Sequence, residues 1–510
     1  MRRMATAAAM LLSCVHSVPA HADEAATAAL FDRVASQPAR LRVFLQAMPK
    51  GGDLHNHLGG SPYAEQFLDW AAEKGMCISR KNLTFTPPPC EGADLTPAKD
   101  VGRRDEALYK AMIEAMSTRA WARGVGVNDR TGHEDFFSSF DHFSPVGAAM
   151  PGAMLAAVKQ SAAANALTYV EPTQDPRAIV EAARIVAGKP WNPDDFEAAL
   201  AGLAPALPGL IDQGIAETDA WEADAAMRLG CDRRPEAAAC RVMIRYQTYA
   251  LRGLPAPVVF GQLAYGFAIA ERDPRYVGVN IVMPEDGPVA MADFDLHMRM
   301  LRFFAARHPK VKMSLHAGEL DLGLVPPAEL SHHIRDSIEI AGAHRIGHGV
   351  DIPYETDAPG LLARMARDRI AVEINLTSND TILGVRGARH PLALYRAAGV
   401  PVVLSTDDEG VSRSDMTNEY LRAATEQGLR YADLKTVARA SLEYGFLPGA
   451  SLWQDAMAGT RVTACRGIAL DPHPSGGCAD LLAGSEKARL QWRLEADFAA
   501  FEQTIVAQKF

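Results

Sequence analysis

The chain is short of two things, net positive charge and long apolar runs. Among its 510 residues, 52 lysines and arginines face 62 aspartates and glutamates, and the formal net charge is −10. A mildly acidic chain without basic tracts argues against nucleic acid or an anionic membrane as the main partner. Beyond the first 22 residues, no apolar run approaches the roughly 20 residues that a membrane-spanning helix needs. The remaining balance, 48% hydrophobic and 22% charged, is that of a globular protein.

Residues 1–22 have the features of a secretory signal. Arg2 and Arg3 precede a short apolar run, which ends in Ala20-His21-Ala22. This order predicts cleavage after Ala22 and a periplasmic or secreted mature chain. The segment carries two positive charges and no negative one, so the mature net charge would be −12. Cys14 loosely resembles a lipoprotein cleavage site, although Leu12 fits that pattern poorly, and lipidation is left open.

Cysteine is also scarce, and six of the seven lie after this segment. They form three couples that are close in the sequence, and an even number in an oxidising compartment favours disulfides. We expect the pairs Cys77–Cys90, Cys231–Cys240 and Cys465–Cys478, each closing a loop. Six cysteines allow 15 pairings, so the connectivity is a prediction only.

Short apolar runs alternate with helical stretches along most of the chain, and eight of the runs are candidate strands. They lie at residues 51–58, 166–172, 241–247, 276–282, 311–319, 345–351, 370–378 and 401–408. The alternation predicts an α/β fold of the (β/α)₈ TIM-barrel type, with a doubly wound open sheet as the alternative. Residues 23–510 would form a single domain with helical insertions at about 59–130 and 173–240, and the amphipathic end of the chain predicts a C-terminal helical extension.

Two histidines stand at alternate positions in the run DLHNHLGGS at residues 53–61. In a strand, His55 and His57 would project to the same side, and the C-terminal ends of barrel strands are where active sites lie. Two imidazoles on one face form half of a divalent-metal site. The pair alone is weak evidence, because two polar residues can fall this close together without function.

Other polar groups end other predicted strands, and together they suggest a zinc site. His316 and Glu319 lie in SLHAGE, His348 in RIGHGVD, and the pair Asp407-Asp408 in LSTDDEG. Three histidines and an aspartate on one rim suit zinc, which lowers the pKa of a bound water to about 7. A buried histidine beside glycines or an aspartate at a helix N-cap is an adequate structural explanation of any single group. It is a poor explanation of all of them, because uncompensated ionisable groups are costly to bury.

With these motifs the chain resembles the adenosine deaminase family of metal-dependent amidohydrolases. The matching pieces appear in family order between residues 48 and 448: MPKGGDLHNHLGG, FFSSFDHF, YVEP, SLHAGE, RIGHG, STDD and SLEYGFLP. The resemblance implies a (β/α)₈ barrel, one Zn²⁺ per chain and hydrolytic deamination of adenosine to inosine and ammonia. The signal, the local cysteine pairs and the long final helix look more like the secreted, growth-factor-related branch than the compact enzymes.

The resemblance also implies roles for individual residues. The zinc ligands would be His55, His57, His316 and Asp407; Glu319 would protonate purine N1, His348 would orient the attacking hydroxide, and Asp408 would bond purine N7. The stretch FFSSFDHF would form a helical lid whose Phe136, Phe137 and Phe140 cover the substrate. An ordinary amphipathic core helix explains that pattern equally well.

The chain departs from the family in two places that concern the substrate. Many members have an acidic residue after HxHL that reaches the ribose, and Gly59 stands there instead. Relatives tend to read G-x-D-L-x-G where this chain has Asn280 and Met283, so a methionine replaces the glycine whose N–H serves purine N3. Glu285 and Asp286 are interpreted as solvated loop acids, with contact to sugar hydroxyls as the alternative.

The sequence therefore predicts a zinc aminohydrolase acting on adenosine or a close 6-aminopurine nucleoside. Adenine or a modified adenosine are alternative substrates. A PHP-type metal phosphoesterase fits DLHNHLGGS but does not account for HAGE, and a nucleoside-binding or signalling protein without catalysis would not need the intact acid and ligand positions. The expected partner is a small purine nucleoside, and a homodimer is left open.

Overall fold

A computed structural model describes residues 20–119, 121 and 131–508, and its centre is a barrel of eight parallel strands. The strands are β1 (Gly51–His57), β2 (Leu167–Thr173), β3 (Tyr246–Leu251), β4 (Tyr276–Val282), β5 (Lys312–Ala317), β6 (Arg345–His348), β7 (Ala371–Ile374) and β8 (Val402–Leu404). Neighbours in this order pair with each other. The ring closes where the Asp407 N–H donates to the carbonyl of His55 at 2.8 Å and the His57 N–H donates to the carbonyl of Asp407 at 3.2 Å. The predicted (β/α)₈ fold is confirmed.

Each of the eight predicted runs overlaps a barrel strand, although the boundaries differ, as the third and seventh runs show. The third barrel strand begins at Tyr246, so only the last two residues of the predicted 241–247 belong to it. Met243–Ile244 forms a separate short strand, which pairs with β2. Between the two stretches, the Arg245 N–H donates to the carbonyl of Val170, and the Arg245 guanidinium binds Glu486. The seventh run stops at Ile374, because a helix begins at Leu376 within the stretch predicted as extended.

Helices surround the barrel and fill the two long intervals. Within the described residues, the α-helices are Ala20–Val34, Pro38–Ala47, Ala64–Glu73, Val101–Arg104, Glu106–Ala115, Gly132–Gly147, Pro151–Ala164, Ala178–Ala187, Phe196–Leu203, Leu207–Leu229, Ala256–Arg272, Pro288–Ala292, Phe294–Arg307, His333–Asp336, Ala358–Asp368, Leu376–Leu383, Leu392–Ala397, Met416–Gln427, Tyr431–Tyr444, Gly476–Gly484 and Glu486–Ile505. The last is the predicted C-terminal helix. It buries Trp492, Leu494 and Phe498 and bonds to the helix Tyr431–Tyr444 through Glu502 and Lys435 at 2.6 Å.

Two small sheets and several short helices lie outside the barrel strands. Cys77–Ser79, Thr84–Thr86 and Leu95–Pro97 form a three-stranded antiparallel sheet, and Trp453–Asp455 pairs with Thr460–Arg461. Shorter 3-10 helices lie at Ala238–Arg241, Glu329–Ser331, Ile352–Tyr354, Gly387–Arg389 and Thr463–Cys465, and a π-helix at Ser337–Ala341. The three predicted disulfides are all present, as Cys77–Cys90, Cys231–Cys240 and Cys465–Cys478.

The predicted signal segment and the membrane-spanning potential of the helices both bear on where the protein is located. Residues 1–19 lie outside the described residues, so the signal segment, its cleavage after Ala22 and the role of Cys14 stay predictions. Among the described helices, none alone has the length and apolar character to span a membrane, and one bent pair, Phe196–Leu203 with Leu207–Leu229, meets those criteria jointly.

A fully buried arginine ties the barrel strands together below the rim. Arg345 of β6 pairs with Glu171 of β2 at 2.6 Å and with Glu373 of β7 at 2.5 Å, and its guanidinium lies 3.7 Å from the ring centre of Phe446. Both carboxylates are completely buried. Arg345 is the cation that the two carboxylates share, so the network holds β2, β6 and β7 in register.

Replacing Arg345 by methionine is expected to destabilise the protein strongly. The change leaves the buried Glu171 without its cation and Glu373 with His55 alone, and breaking a buried pair in this way costs about 3–5 kcal/mol. The measurement is the free energy of unfolding in urea. Arg369→Met, at a largely exposed arginine, is the matched control and should cost about 0–1 kcal/mol. Equal losses in the two variants would contradict a structural role for the network.

Candidate active site

The predicted site residues meet at one end of the barrel, where the strands finish. His55 and His57 are on β1, His316 is near the end of β5, and His348 ends β6. Asp407 and Asp408 follow β8 by three and four residues, and Glu319 follows β5 by two. Because parallel strands all present their C-terminal ends to the same rim, residues far apart in the sequence become neighbours.

The groups lie close enough to share a metal ion. Ligand atoms of His55, His316, His348 and Asp407 are all within 4.8 Å of one another, and so are those of His57, Asp407 and Asp408. Asp407 belongs to both groups. Its Oδ1 lies 3.2 Å from His57 Nε2 and 3.5 Å from His55 Nε2, and His57 Nε2 lies 3.2 Å from His316 Nε2.

Hydrogen bonds behind the histidines determine which nitrogen faces the cluster. His55 Nδ1 donates to Glu373 Oε2 at 2.7 Å, and His316 Nδ1 donates to Asn280 Oδ1 at 2.9 Å. His57 Nδ1 bonds to the hydroxyl of Thr173 at 2.9 Å. With Nδ1 engaged in each ring, Nε2 is the atom left to bind a ligand, and the buried His55 Nε2 faces Asp407 Oδ1 at 3.5 Å.

This arrangement fits Zn²⁺. Bonds of 2.0–2.1 Å in a tetrahedral site put neighbouring ligand nitrogens roughly 3.3 Å apart, close to the 3.2 Å between His57 and His316. The cluster also favours positive charge. Although burial lowers the pKa of His55, its hydrogen bonds to Asp407 and Glu373 raise that pKa to about 10. Ser378 donates to Asp407 Oδ2 at 2.6 Å and so leaves Oδ1 toward the histidines.

His348 differs from the other three histidines in its proton position. The backbone N–H of Leu392 donates to His390 Nδ1 at 3.1 Å, His390 Nε2 then donates to Asn379 Oδ1 at 3.0 Å, and the Asn379 amide donates to His348 Nδ1 at 3.0 Å. A backbone N–H can only donate, so the direction of every bond in this chain is fixed. His348 therefore carries its proton on Nε2.

The chemistry of His348 follows from this chain of bonds. A second amide, that of Asn375, also donates to Nδ1 at 3.3 Å. Burial, together with the neighbouring His55, lowers the pKa of His348 to about 3, so the ring is neutral. A neutral ring with Nε2–H presents a donor to the cluster rather than a ligand lone pair. This favours His57 over His348 as the third nitrogen ligand.

Two carboxyl groups at the rim are biased toward their protonated forms. Burial and the charge of Asp407 raise the pKa of Glu319 well above its usual range. Burial and the same neighbour also raise the pKa of Asp408, whose Oδ1 has no hydrogen-bond partner. Burial acts in the same direction on Asp407, but hydrogen bonds from His55 and His57 hold the pKa of Asp407 well below its usual range. The site thus combines one anionic carboxylate with two groups able to donate a proton.

The two glycines after Leu58 have opposite surroundings. A Cβ on Gly60 would lie 1.6 Å from Asp408 Oδ1, so this glycine is required for the aspartate to occupy its place. A Cβ on Gly59 would meet no atom within 4 Å. The space that an acidic side chain would need at Gly59 is therefore open.

The loop after β4 is held in an unusual conformation at the family's glycine position. Met283 has φ +86°, a left-handed value that side chains rarely adopt, and its carbonyl accepts a hydrogen bond from Arg252 Nε at 2.8 Å. The interpretation of Glu285 as a solvated acid was wrong. Glu285 is buried, and its carboxylate accepts hydrogen bonds from the N–H groups of Gly318 and Glu319 and from His333 Nδ1. These bonds compensate its burial.

The predicted phenylalanine lid is a helix, Gly132–Gly147. Phe136 is buried, Phe137 and Phe140 are partly exposed, and their rings pack at 5.1 and 5.8 Å from that of Phe136. His133 at the start of the helix bonds to Asp286 at 3.1 Å, which joins the helix to the loop after β4. The helix therefore lies against the rim, while substrate contact by the three phenylalanines stays a prediction.

Sequence reasoning missed the groups that support the site from behind, chiefly Glu373, Ser378, Asn379 and His390. One signal was available: Glu373 is a lone acid in the apolar run IAVEI, and a buried acid requires a partner. The Asn379–His390 contact had no such signal, because it depends on a helix that the sequence pattern did not predict.

Replacing Asn379 by aspartate is expected to move the proton of His348. A carboxylate can accept from His390 but cannot donate to His348 Nδ1, so a proton on Nδ1 becomes favourable. Long-range ¹⁵N–¹H NMR of the imidazole rings measures this directly, with the buried His297 as an internal control that should not change. An unaltered Nε2–H signal for His348 in the variant would show that Asn379 does not fix the ring.

Comparison with known proteins supports the family. A sequence model described as adenosine deaminase matches residues 234–452. The adenosine deaminases of Serratia proteamaculans and Shewanella loihica are 35% and 34% identical over 146 residues, 28% of this chain. The match spans only 41% of the length of either relative.

Solved structures match over a longer stretch but at lower identity. The ADAL–IMP complex is 19% identical with a TM-score of 0.51, covering 80% of this chain and 94% of that one. Arabidopsis ADAL complexed with GMP is 18% identical with a TM-score of 0.50, covering 79% and 94%. At these identities the likeness concerns the fold, and the growth-factor-related branch stays a prediction. Over residues 234–452 the chain is therefore similar in sequence to adenosine deaminases, and it shares the barrel fold of these solved structures.

Proposed function

We propose that the protein is a zinc-dependent hydrolase that deaminates adenosine or a close 6-aminopurine nucleoside, releasing ammonia. The observation that carries the proposal is the grouping at one rim of three imidazole Nε2 atoms, the anionic Asp407 and two carboxyl groups with raised pKa values. Hydrolytic deamination needs these three kinds of group together: metal ligands, a proton donor and a group to hold the purine.

His55, His57, His316 and Asp407 would hold the ion. When bound, Zn²⁺ lowers the pKa of a water from 15.7 to about 7 and so supplies a nucleophile at neutral pH. Asn280, Glu373 and Thr173 keep the Nδ1 atoms occupied, so the ligand nitrogens stay in place. Outer hydrogen bonds of this type typically change metal affinity by about 10–100-fold when they are removed.

The remaining groups act on the substrate. Protonated Glu319 would donate to purine N1, which draws electron density from C6 as the water oxygen adds there. His348 would hold the attacking oxygen through Nε2–H. Asp408, also protonated, would donate to purine N7 and set the orientation of the ring. The C6–N bond then breaks as the C6 oxygen becomes a carbonyl, and the amino group takes up the proton of that hydroxyl and leaves as ammonia, while the proton released from the attacking water restores Glu319.

An oxidising compartment is part of the proposal. Three disulfides are formed within short loops, which is typical of exported proteins. With the predicted signal at residues 1–22, they support a periplasmic or secreted enzyme acting on nucleoside outside the cytoplasm. A homodimer stays a prediction.

Substitution of Glu319 by glutamine is the direct test of the reaction. Glutamine keeps the shape but cannot protonate N1, so the rate of adenosine deamination should fall by at least about 100-fold. The loss of adenosine absorbance measures the rate, and the zinc content should remain unchanged. Glu426→Gln, at a surface acid paired with Arg422, is the matched control and should behave as the parent protein. Full activity of Glu319→Gln would contradict the assigned role.

Substitution of Gly59 by aspartate tests which purine the site accepts. The open space at Gly59 admits the side chain, and a carboxylate there could bond a ribose hydroxyl. We expect kcat/KM for adenosine to rise about 10-fold while that for adenine stays the same, since a hydrogen bond to a charged group contributes about 1.5–3 kcal/mol. Gly60→Ala, by contrast, should reduce activity on both, because its Cβ displaces Asp408. An unchanged adenosine-to-adenine ratio in Gly59→Asp would mean that no ribose lies at this position.

A further inference from the structure

A second group of metal-binding side chains lies outside the active site, in the connection between β5 and β6. Glu329, His332 and His333 offer ligand atoms that are all within 4.8 Å of one another. Glu329 begins a 3-10 helix, and His333 begins the short helix His333–Asp336. The chain leaves helical geometry at His332, where φ is −153°, between these two short helices, and the three side chains meet at this break.

The imidazole of His333 is the strongest indication that this cluster binds an ion. Its side chain is completely buried and its Nδ1 donates to Glu285 Oε1 at 2.7 Å, yet its Nε2 has no hydrogen-bond partner. That Nε2 lies 4.0 Å from Glu329 Oε2, too far for a hydrogen bond. A carboxylate behind the ring and a free Nε2 in front is the arrangement of a metal-ligating histidine.

The surroundings add negative charge and access from solvent. His332 is also grouped with Asp295 and Asp336, again with ligand atoms within 4.8 Å, so two more carboxylates face this histidine. Glu329 and His332 are partly exposed, whereas His333 is buried. An ion could therefore enter from solvent and reach the buried nitrogen.

We propose that Glu329, His332 and His333 bind a divalent cation of the zinc type, separate from the active-site ion. Two imidazoles and one carboxylate suit Zn²⁺ rather than Mg²⁺ or Ca²⁺, which prefer oxygen ligands. Three protein ligands leave a position for water, or for a carboxylate of the Asp295 group.

The site is connected to the active-site loop through Glu285. The same carboxylate that accepts from His333 also accepts from the N–H groups of Gly318 and Glu319, at 3.2 and 2.8 Å. An ion on His333 Nε2 fixes the proton on Nδ1 and so keeps the bond to Glu285. The ion therefore has a positioning role for the Glu319 backbone, without contact with the substrate.

The decisive measurement is the zinc content per chain. The parent protein, the double variant Glu329→Ala/His332→Ala and the control His473→Ala, at an exposed histidine of the C-terminal region, are equilibrated in zinc-buffered solution and analysed by elemental mass spectrometry. We expect two, one and two zinc ions per chain. If the active site bound none, the counts would be one, zero and one, so the difference between variants tests this site alone.

Equal zinc counts in the parent and the double variant would overturn the proposal and leave His333 as a buried histidine held by Glu285. Diffraction data at the zinc edge give an independent readout. They should show an anomalous peak beside His333 Nε2 in the parent protein and none in the double variant. A peak at the active site alone, with zinc in excess, would equally refute the second site. Thermal unfolding in chelator should be similar for all three proteins, which establishes that the double variant folds.

Discussion

The carboxylate of Glu373 is the group on which both the barrel and the site depend. It accepts hydrogen bonds from Ser314 at 2.6 Å, from Arg345 and from His55 at 2.7 Å, and it is completely buried. Burial alone would raise the pKa of Glu373, but Arg345 and His55 lower it to about 2. One anion thus compensates a structural cation below the rim and orients a ligand histidine at the rim, so the stability of the barrel and the geometry of the site are not separable here.

Hydrogen-bonding neighbours also determine which nitrogen of each histidine carries the proton. Asn280 and Asn379 are both amides facing a histidine, but with opposite ends. Asn280 presents its oxygen to His316 Nδ1, which leaves Nε2 as a ligand. Asn379 presents its amide N–H to His348 Nδ1, which leaves Nε2 as a donor. The buried His55, His316 and His348 and the partly exposed His57 are thereby divided into ligands and a hydrogen-bond donor by their neighbours.

The sequence was sufficient for the architecture and for the groups at the strand ends, for a physical reason. Strand-end histidines and acids stand out because they follow apolar runs, and the parallel order of β1, β5, β6 and β8 brings them to one rim. The disulfides were predictable from their short separations. Burial of Glu285 was not, because an acid in PEDG looks like a loop residue until the N–H groups of Gly318 and Glu319 fold against it. The left-handed φ of Met283 could not be predicted either, since nothing in the adjacent sequence required it.

The clearest local error explains most of what was missed. The run 370–378 reads as one long strand, IAVEINLTS, but only Ala371–Ile374 is extended and Leu376–Leu383 is helical. Had the strand continued, alternate residues would have faced opposite sides. The helical turn instead places Ser378 against Asp407 and Asn379 against His348, adjacent residues serving adjacent groups of the site. It also brings its Thr381 carbonyl so close to Gly132 that a Cβ there would lie 2.0 Å away, which seats the phenylalanine helix against the rim. The early end of β7 therefore allows the following helix to place Ser378 and Asn379 behind the residues of the site. A pattern of hydrophobic residues does not predict where the strand ends.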